Sequence, residues 1–242
     1  MLSWRHNKNG SVLNIDTQSE SSKHFFFVRP VDRPRTMTTK SGYGVGALLI
    51  VTILLPDNIF AQETGTIRGE LDHAIARRIP AAVYIEAFDA TVFTEPAENP
   101  VMDQVNLTYT PHVLPVLVGS TIDFPNSDST RHHVYTSRSS VCQFELGIYD
   151  AGVVKHAKCD ETGVTMLLCN VHAEMRGFLV VSPTPYFATT DASGDFVIEG
   201  VPPGTYSLTF EHERLESKSL EVTVSGGEET LVTFGKLSRK RR

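Results

Sequence analysis

The chain has 242 residues, of which 40% are hydrophobic and 21% charged, and its formal net charge is −6. This length and apolar content allow one large or two small domains with a real core, and exclude a fibrous or disordered chain. The acid excess argues against nucleic acid as a partner.

Residues 1–36 are charged and unpatterned, and read as an extension ahead of a true start at Met37. Residues 37–61 have the form of a secretory signal peptide. Lys40 supplies its basic region, 45–55 an apolar run, and Ala61 a small residue before Gln62. The apolar run is too short to span a bilayer. The expectation is a periplasmic protein with no membrane segment after cleavage. From Gln62 onward 15 Lys+Arg stand against 24 Asp+Glu, a net −9, which favours encounter with a basic partner.

Strands are predicted at 65–71 and 81–88 from β-branched and aromatic alternation, with Pro80 between them. After a polar link with Pro96 and Pro100 come short strands at 105–109, 113–118 and 121–124, then at 133–136, 143–146, 164–169 and 178–181. A short helix is expected within 146–160. Beyond Tyr186 the segment 188–198 reads as a strand, a Ser193-Gly194 turn and a strand. Further strands follow in 201–210, 219–224 and 230–234, and residues 237–242 form a basic tail expected to be a solvated end. No long segment holds a 3.6-residue period, so the fold class is all-β, a sandwich or barrel.

The chemistry concentrates in one stretch. Cys169, His172 and Met175 follow one another at three-residue intervals after the apolar run 164–168, and an upstream segment, 126–135, contributes His132 and His133. One thiolate, two imidazoles and a weak thioether are the donor set of a copper site for electron transfer. A zinc site would pair two Cys-x-x-His units, and only one is present. If Cys169 binds metal, Cys142 and Cys159 remain as a possible disulfide pair. A site fully ligated by protein leaves no open position for a substrate, so no enzyme is expected.

Two family resemblances follow from these motifs. Thr190, Asp191, Gly194, Phe196, Pro202, Pro203, Gly204 and Tyr206 resemble the T-D-x-x-G-x-F and P-P-G-x-Y pattern of carboxypeptidase-regulatory-like β-sandwiches. Gly65, Gly69, Ala82 and Val83 resemble that family's opening strands. The loop Cys169, His172, Met175, Arg176, Gly177 is similar to that of the small cupredoxins, amicyanin above all, and Asn126, His132 and Val134 resemble their upstream motif. The run 102–188 also resembles bacterial cupredoxin-like proteins labelled "methylamine utilization protein".

The resemblance implies a Greek-key cupredoxin sandwich over 96–183, enclosed by a small regulatory-like sandwich made from 62–95 and 184–236. It further implies one copper ion held by His132, Cys169, His172 and Met175, and electrons passed to a redox protein such as a cytochrome c or a dehydrogenase. Where plastocyanin and amicyanin have Asn after the first histidine, this chain has His133. With Asn126, it is expected to support the ligands from behind. Strand alternation lets only one of His132 and His133 face the metal, and the motif favours His132. Two other readings remain, a copper delivery or sequestration module and a metal-independent interaction sandwich.

Overall fold

The computed structural model describes residues 63–86 and 93–241, so the expected extension and signal peptide lie outside the described residues. Two strands come first, β1 (Gly65–Leu71) and β2 (Ala82–Ile85). A long middle section follows with β3 (Asp103–Val105), β4 (Thr108–Thr110), β5 (Val113–Leu117), β6 (Thr121–Pro125) and β7 (His132–Thr136). It continues through β8 (Glu145–Tyr149), β9 (Val154–Lys158), β10 (Gly163–Leu168) and β11 (Arg176–Ser182). The chain closes with β12 (Phe187–Thr189), β13 (Asp195–Val201), β14 (Gly204–Glu211), β15 (Lys218–Val224) and β16 (Glu229–Phe234). Among the described residues there is no helix.

The early and late strands build one sandwich. Its sheets are ordered β13-β1-β16 and β12-β2-β14-β15, and between them lie Ile67, Ile85, Leu208, Phe210 and Phe234, all fully buried. The middle section builds a second sandwich. One layer is ordered β5-β11-β10-β7-β8. The other joins the β3–β4 and β6–β9 pairs through parallel bridges at Val101–Asp123 and Gln104–Asn126. Ile122, Phe124, Val134, Leu167 and Leu179 fill the space between these layers.

β11 serves both cores, because a strand exposes alternate residues to opposite faces. Leu179 and Val181 face the second sandwich's core, while Phe178 and Val180 pack with Ala82 and Val113 in an apolar seam against the first. Its unbroken apolar run is that of a strand covered on both faces.

Two expectations need correction. The helix expected within 146–160 is absent: β8 and β9 occupy that stretch, separated by a turn at Gly152 with φ 78°. Its β-branched Val153 and Val154 fit a pleated strand better than a helix. The single strand expected at 105–109 is split into β3 and β4 by Asn106 and Leu107, with φ of 53° and 61°. The basic tail is solvated as expected, with Arg239, Lys240 and Arg241 exposed, but its backbone is tethered. Lys240 donates its backbone N–H to the Arg214 carbonyl at 2.9 Å, and Glu216 donates its own to the Ser238 carbonyl at 2.9 Å.

Candidate metal centre

β10 and β11 pair antiparallel up to Leu168–Arg176, so residues 169–175 form the loop closing that hairpin. Along β10, Thr165 and Leu167 are buried and Met166 and Leu168 less so. Cys169 continues the inward series, and it is 5% exposed. Within the loop, Met175 donates its backbone N–H to the His172 carbonyl at 3.0 Å. That turn returns the chain over Cys169. Just before the loop, Tyr109 on β4 donates its hydroxyl to the Leu168 carbonyl at 3.0 Å. Gly177, just after it, lies against the Tyr109 side chain, where an added Cβ would come within 2.7 Å of the Tyr109 Cβ and 3.1 Å of its ring. Burial foremost pushes the Tyr109 phenol well above its usual value, so it stays protonated and able to donate.

β7 lies beside β10, with Leu168 opposite Tyr135. Alternation along β7 sends His132 and His133 to opposite faces. His132 is fully buried and turns toward the loop. Its Nδ1 is 3.9 Å from Cys169 Sγ and 3.2 Å from His172 Nδ1, and Cys169 Sγ is 3.9 Å from His172 Nδ1. A point equidistant from the corners of that triangle lies about 2.1 Å from each, within the range of metal–imidazole and metal–thiolate bonds. These three form the metal-competent cluster among the described residues.

The donors are prepared for a cation. His132 Nε2 lies 2.8 Å from Asp128 Oδ2. Asp128 carboxylate oxygens also accept the backbone N–H groups of Asn106 at 2.6 Å and Leu107 at 2.9 Å. Burial opposes ionisation of Asp128, but the Leu107 N–H, the His132 ring and the Asn106 N–H outweigh it and hold its carboxyl below the ordinary value. A carboxylate at Nε2 fixes the proton there and leaves a lone pair on Nδ1, the arrangement that orients metal-binding histidines. A shared cation would satisfy two nitrogens and a sulfur converging so closely.

Asn126 holds this corner in place. Its side-chain amide donates to the Thr130 carbonyl at 2.9 Å, and its oxygen accepts the Asp128 N–H at 3.1 Å. His133, on the opposite face of β7, stacks on Tyr135. Its Nε2 is 3.0 Å from a Glu145 carboxylate oxygen, and Asn170 Nδ2 donates to its Nδ1 at 2.9 Å. Since Asn170 follows Cys169 directly, His133 grips the loop from outside while His132 faces its donors. Met175 is 1% exposed and belongs to the same buried cluster as Cys169. His172 is only half-buried, unlike His132 and Cys169. Cys142 and Cys159 are joined in a disulfide, and Cys169 is the free thiol among the described residues. Asp128 and Asn170 were missed in the sequence. The signal that finds Asp128 is the need of a ligating histidine for a partner at its second nitrogen.

The family model of a carboxypeptidase regulatory-like domain matches residues 172–235. That span begins inside the ligand loop and omits β1 and β2, which nevertheless pair with β12, β13, β14 and β16. No curated protein matches the chain. Among solved structures, a purple cupredoxin from Nitrosopumilus maritimus is similar at 23% identity over 34% of this chain and 96% of its own, with a TM-score of 0.31. The Cu(I) form of an amicyanin variant is similar at 25% identity over 36% of this chain and 87% of its own, with a TM-score of 0.33. A Cu-containing nitrite reductase from Thermus scotoductus SA-01 is similar at 22% identity over 40% of this chain and 25% of its own, with a TM-score of 0.34.

Proposed function

We propose that this chain is a periplasmic copper protein, not an enzyme, that carries single electrons between redox partners. The observation that supports it is the His132–Cys169–His172 triangle, whose sides suit one ion at ordinary bond lengths. Copper supplies the one-electron change between Cu(II) and Cu(I), and the donor set of soft thiolate, two imidazoles and thioether is the one that suits it.

The protein's own part is to keep the donors still. Cys169 would supply the strong thiolate donor, His132 and His172 the imidazoles, and Met175 a weak thioether. The contacts Asp128–His132, Asn170–His133 and Tyr109–Leu168 fix three sides of the site. A site that rearranges little as its charge changes is suited to electron transfer. The half-buried His172 offers the ring edge nearest solvent, where a cytochrome c or a dehydrogenase would exchange the electron.

The test is a titration of the protein with Cu(II), followed by absorption and electron-spin-resonance spectra. Uptake should stop at one equivalent with an intense visible thiolate-to-copper band, and Cys169→Ser should abolish that band. A protein that takes up no copper, or stays coloured without the thiol, sinks the assignment. Slow electron self-exchange with transfer of the ion to an acceptor protein would favour delivery over electron carriage.

A further inference from the structure

The seam between the two sandwiches opens into a cleft of about 720 Å³ beside the ligand loop. Around it stand Arg78, Arg176, Arg214, Arg239, Lys240 and Arg241, with Glu213 as its one lining carboxylate. Glu213 is already engaged by Arg214 at 2.9 Å and Arg176 at 3.8 Å. Met166, Leu168 and Phe178 supply an apolar floor, and Ala173 of the ligand loop forms part of the wall. This concentration of positive charge is local, since the chain as a whole is −6.

The cations are held, not trailing. The hydrogen bonds of Lys240 to Arg214 and of Glu216 to Ser238 pin the last strandlike residues along the cleft, with a bridge from Leu215 to Arg239. No ion pair engages Arg78, Arg239 or Arg241 among the described residues. A recess lined by charge of one sign over low-dielectric walls concentrates its field and draws in an opposite charge.

We propose that this cleft docks a carboxylate-rich, partly apolar segment of an acidic partner protein, seating it against Ala173 beside the ligand His172. The charge selects acidic residues, and the floor selects apolar ones between them. A flat anionic membrane would meet the cationic rim but not the recessed floor, where Phe178 is only 7% exposed. A nucleic acid's phosphates would meet the cations but leave the apolar floor of Met166, Leu168 and Phe178 uncovered. The chain's own residues 1–61 are no better fitted, carrying seven Lys+Arg against four Asp+Glu. The proposal does not depend on copper, so it is tested on metal-free protein.

The probe is a fluorescent decapeptide alternating Glu with Leu and Phe, titrated with the full chain between about 20 and 300 mM salt. Saturable binding should weaken steadily with salt, and a version with Lys for Glu should not bind. Arg78→Glu with Arg239→Glu should weaken binding by about tenfold or more. Arg241→Glu alone, at an exposed position, should weaken it severalfold with an unchanged melting temperature. Zero-length carbodiimide coupling should join the peptide's carboxylates to Lys240. Absence of binding, coupling at other lysines only, indifference to both variants, or tighter binding to phosphatidylserine vesicles or single-stranded DNA would each overturn the proposal.

Discussion

Asp128 illustrates how one side chain serves two ends of the site. Its carboxylate meets His132 Nε2 and, through Asn106 and Leu107, the tip of the β3–β4 turn. Removing it frees the His132 ring to turn and leaves the proton on Nε2 without an acceptor. Asp128→Ala is therefore expected to lower copper affinity by about 10- to 100-fold, measured by competition with a chromophoric chelator. Asp128→Asn, which can still accept a hydrogen bond, should lose less. An equal loss in both variants would show that charge alone matters, and no loss in either would remove Asp128 from the site. His133 and Asn170 act on the loop rather than on the donors. The amide takes up the ring nitrogen that faces it, and Glu145 takes the other.

At the scale of elements, the β3–β4 hairpin shows a local cost accepted for a distant contact. A left-handed Leu places its Cβ against a carbonyl, a cost of about 1–2 kcal/mol. The two N–H groups that this geometry exposes are the ones Asp128 binds. A turn of this form favours Asn-Gly, and Asn106 already holds the first place. Leu107→Gly is expected to raise stability by roughly 0.5–1 kcal/mol, after the greater flexibility of the unfolded chain offsets part of the gain. Chemical denaturation would check it, and a loss of stability would mean that the half-exposed Leu107 side chain contributes more than its backbone costs. In the sequence, Val105, Leu107 and Tyr109 alternate as a strand does, which hides the turn. The same limit applies to 146–160, where strands in two different sheets stand close in sequence and neither pairs with the other.

Glu213 acts at the scale of the whole molecule. It extends from the β14–β15 connection of one sandwich to His112 and Arg176 of the other, at 2.8 and 3.8 Å. Burial raises its proton affinity, but hydrogen bonds from His112 and Arg214, with the charge of Arg176, outweigh it and hold its carboxyl below the ordinary value of 4.5. A carboxyl depressed on folding contributes fully above its unfolded value, and that contribution is lost as pH falls through the folded one. Wild-type stability should thus decline below about pH 4.5, and Glu213→Gln should lower the melting temperature at neutral pH while flattening that decline. Parallel acid profiles for the two proteins would show that the seam does not rest on this charge.

The sequence by itself determined the all-β class, the alternation that turns His132 and His133 to opposite faces, and a loop carrying Cys169, His172 and Met175 three residues apart. These are local properties, set by periods of two in strands and by short spacings within one turn. Only the tertiary structure decided that His132 meets the loop donors, that Asp128 and Asn170 support them, and that the last residues fold back beside the loop. Each of those depends on strands brought together from far along the chain, β7 against β10 and residue 239 against residue 215. Sequence order leaves such pairings open, because many registers satisfy the same alternation and only packing of the whole core selects among them.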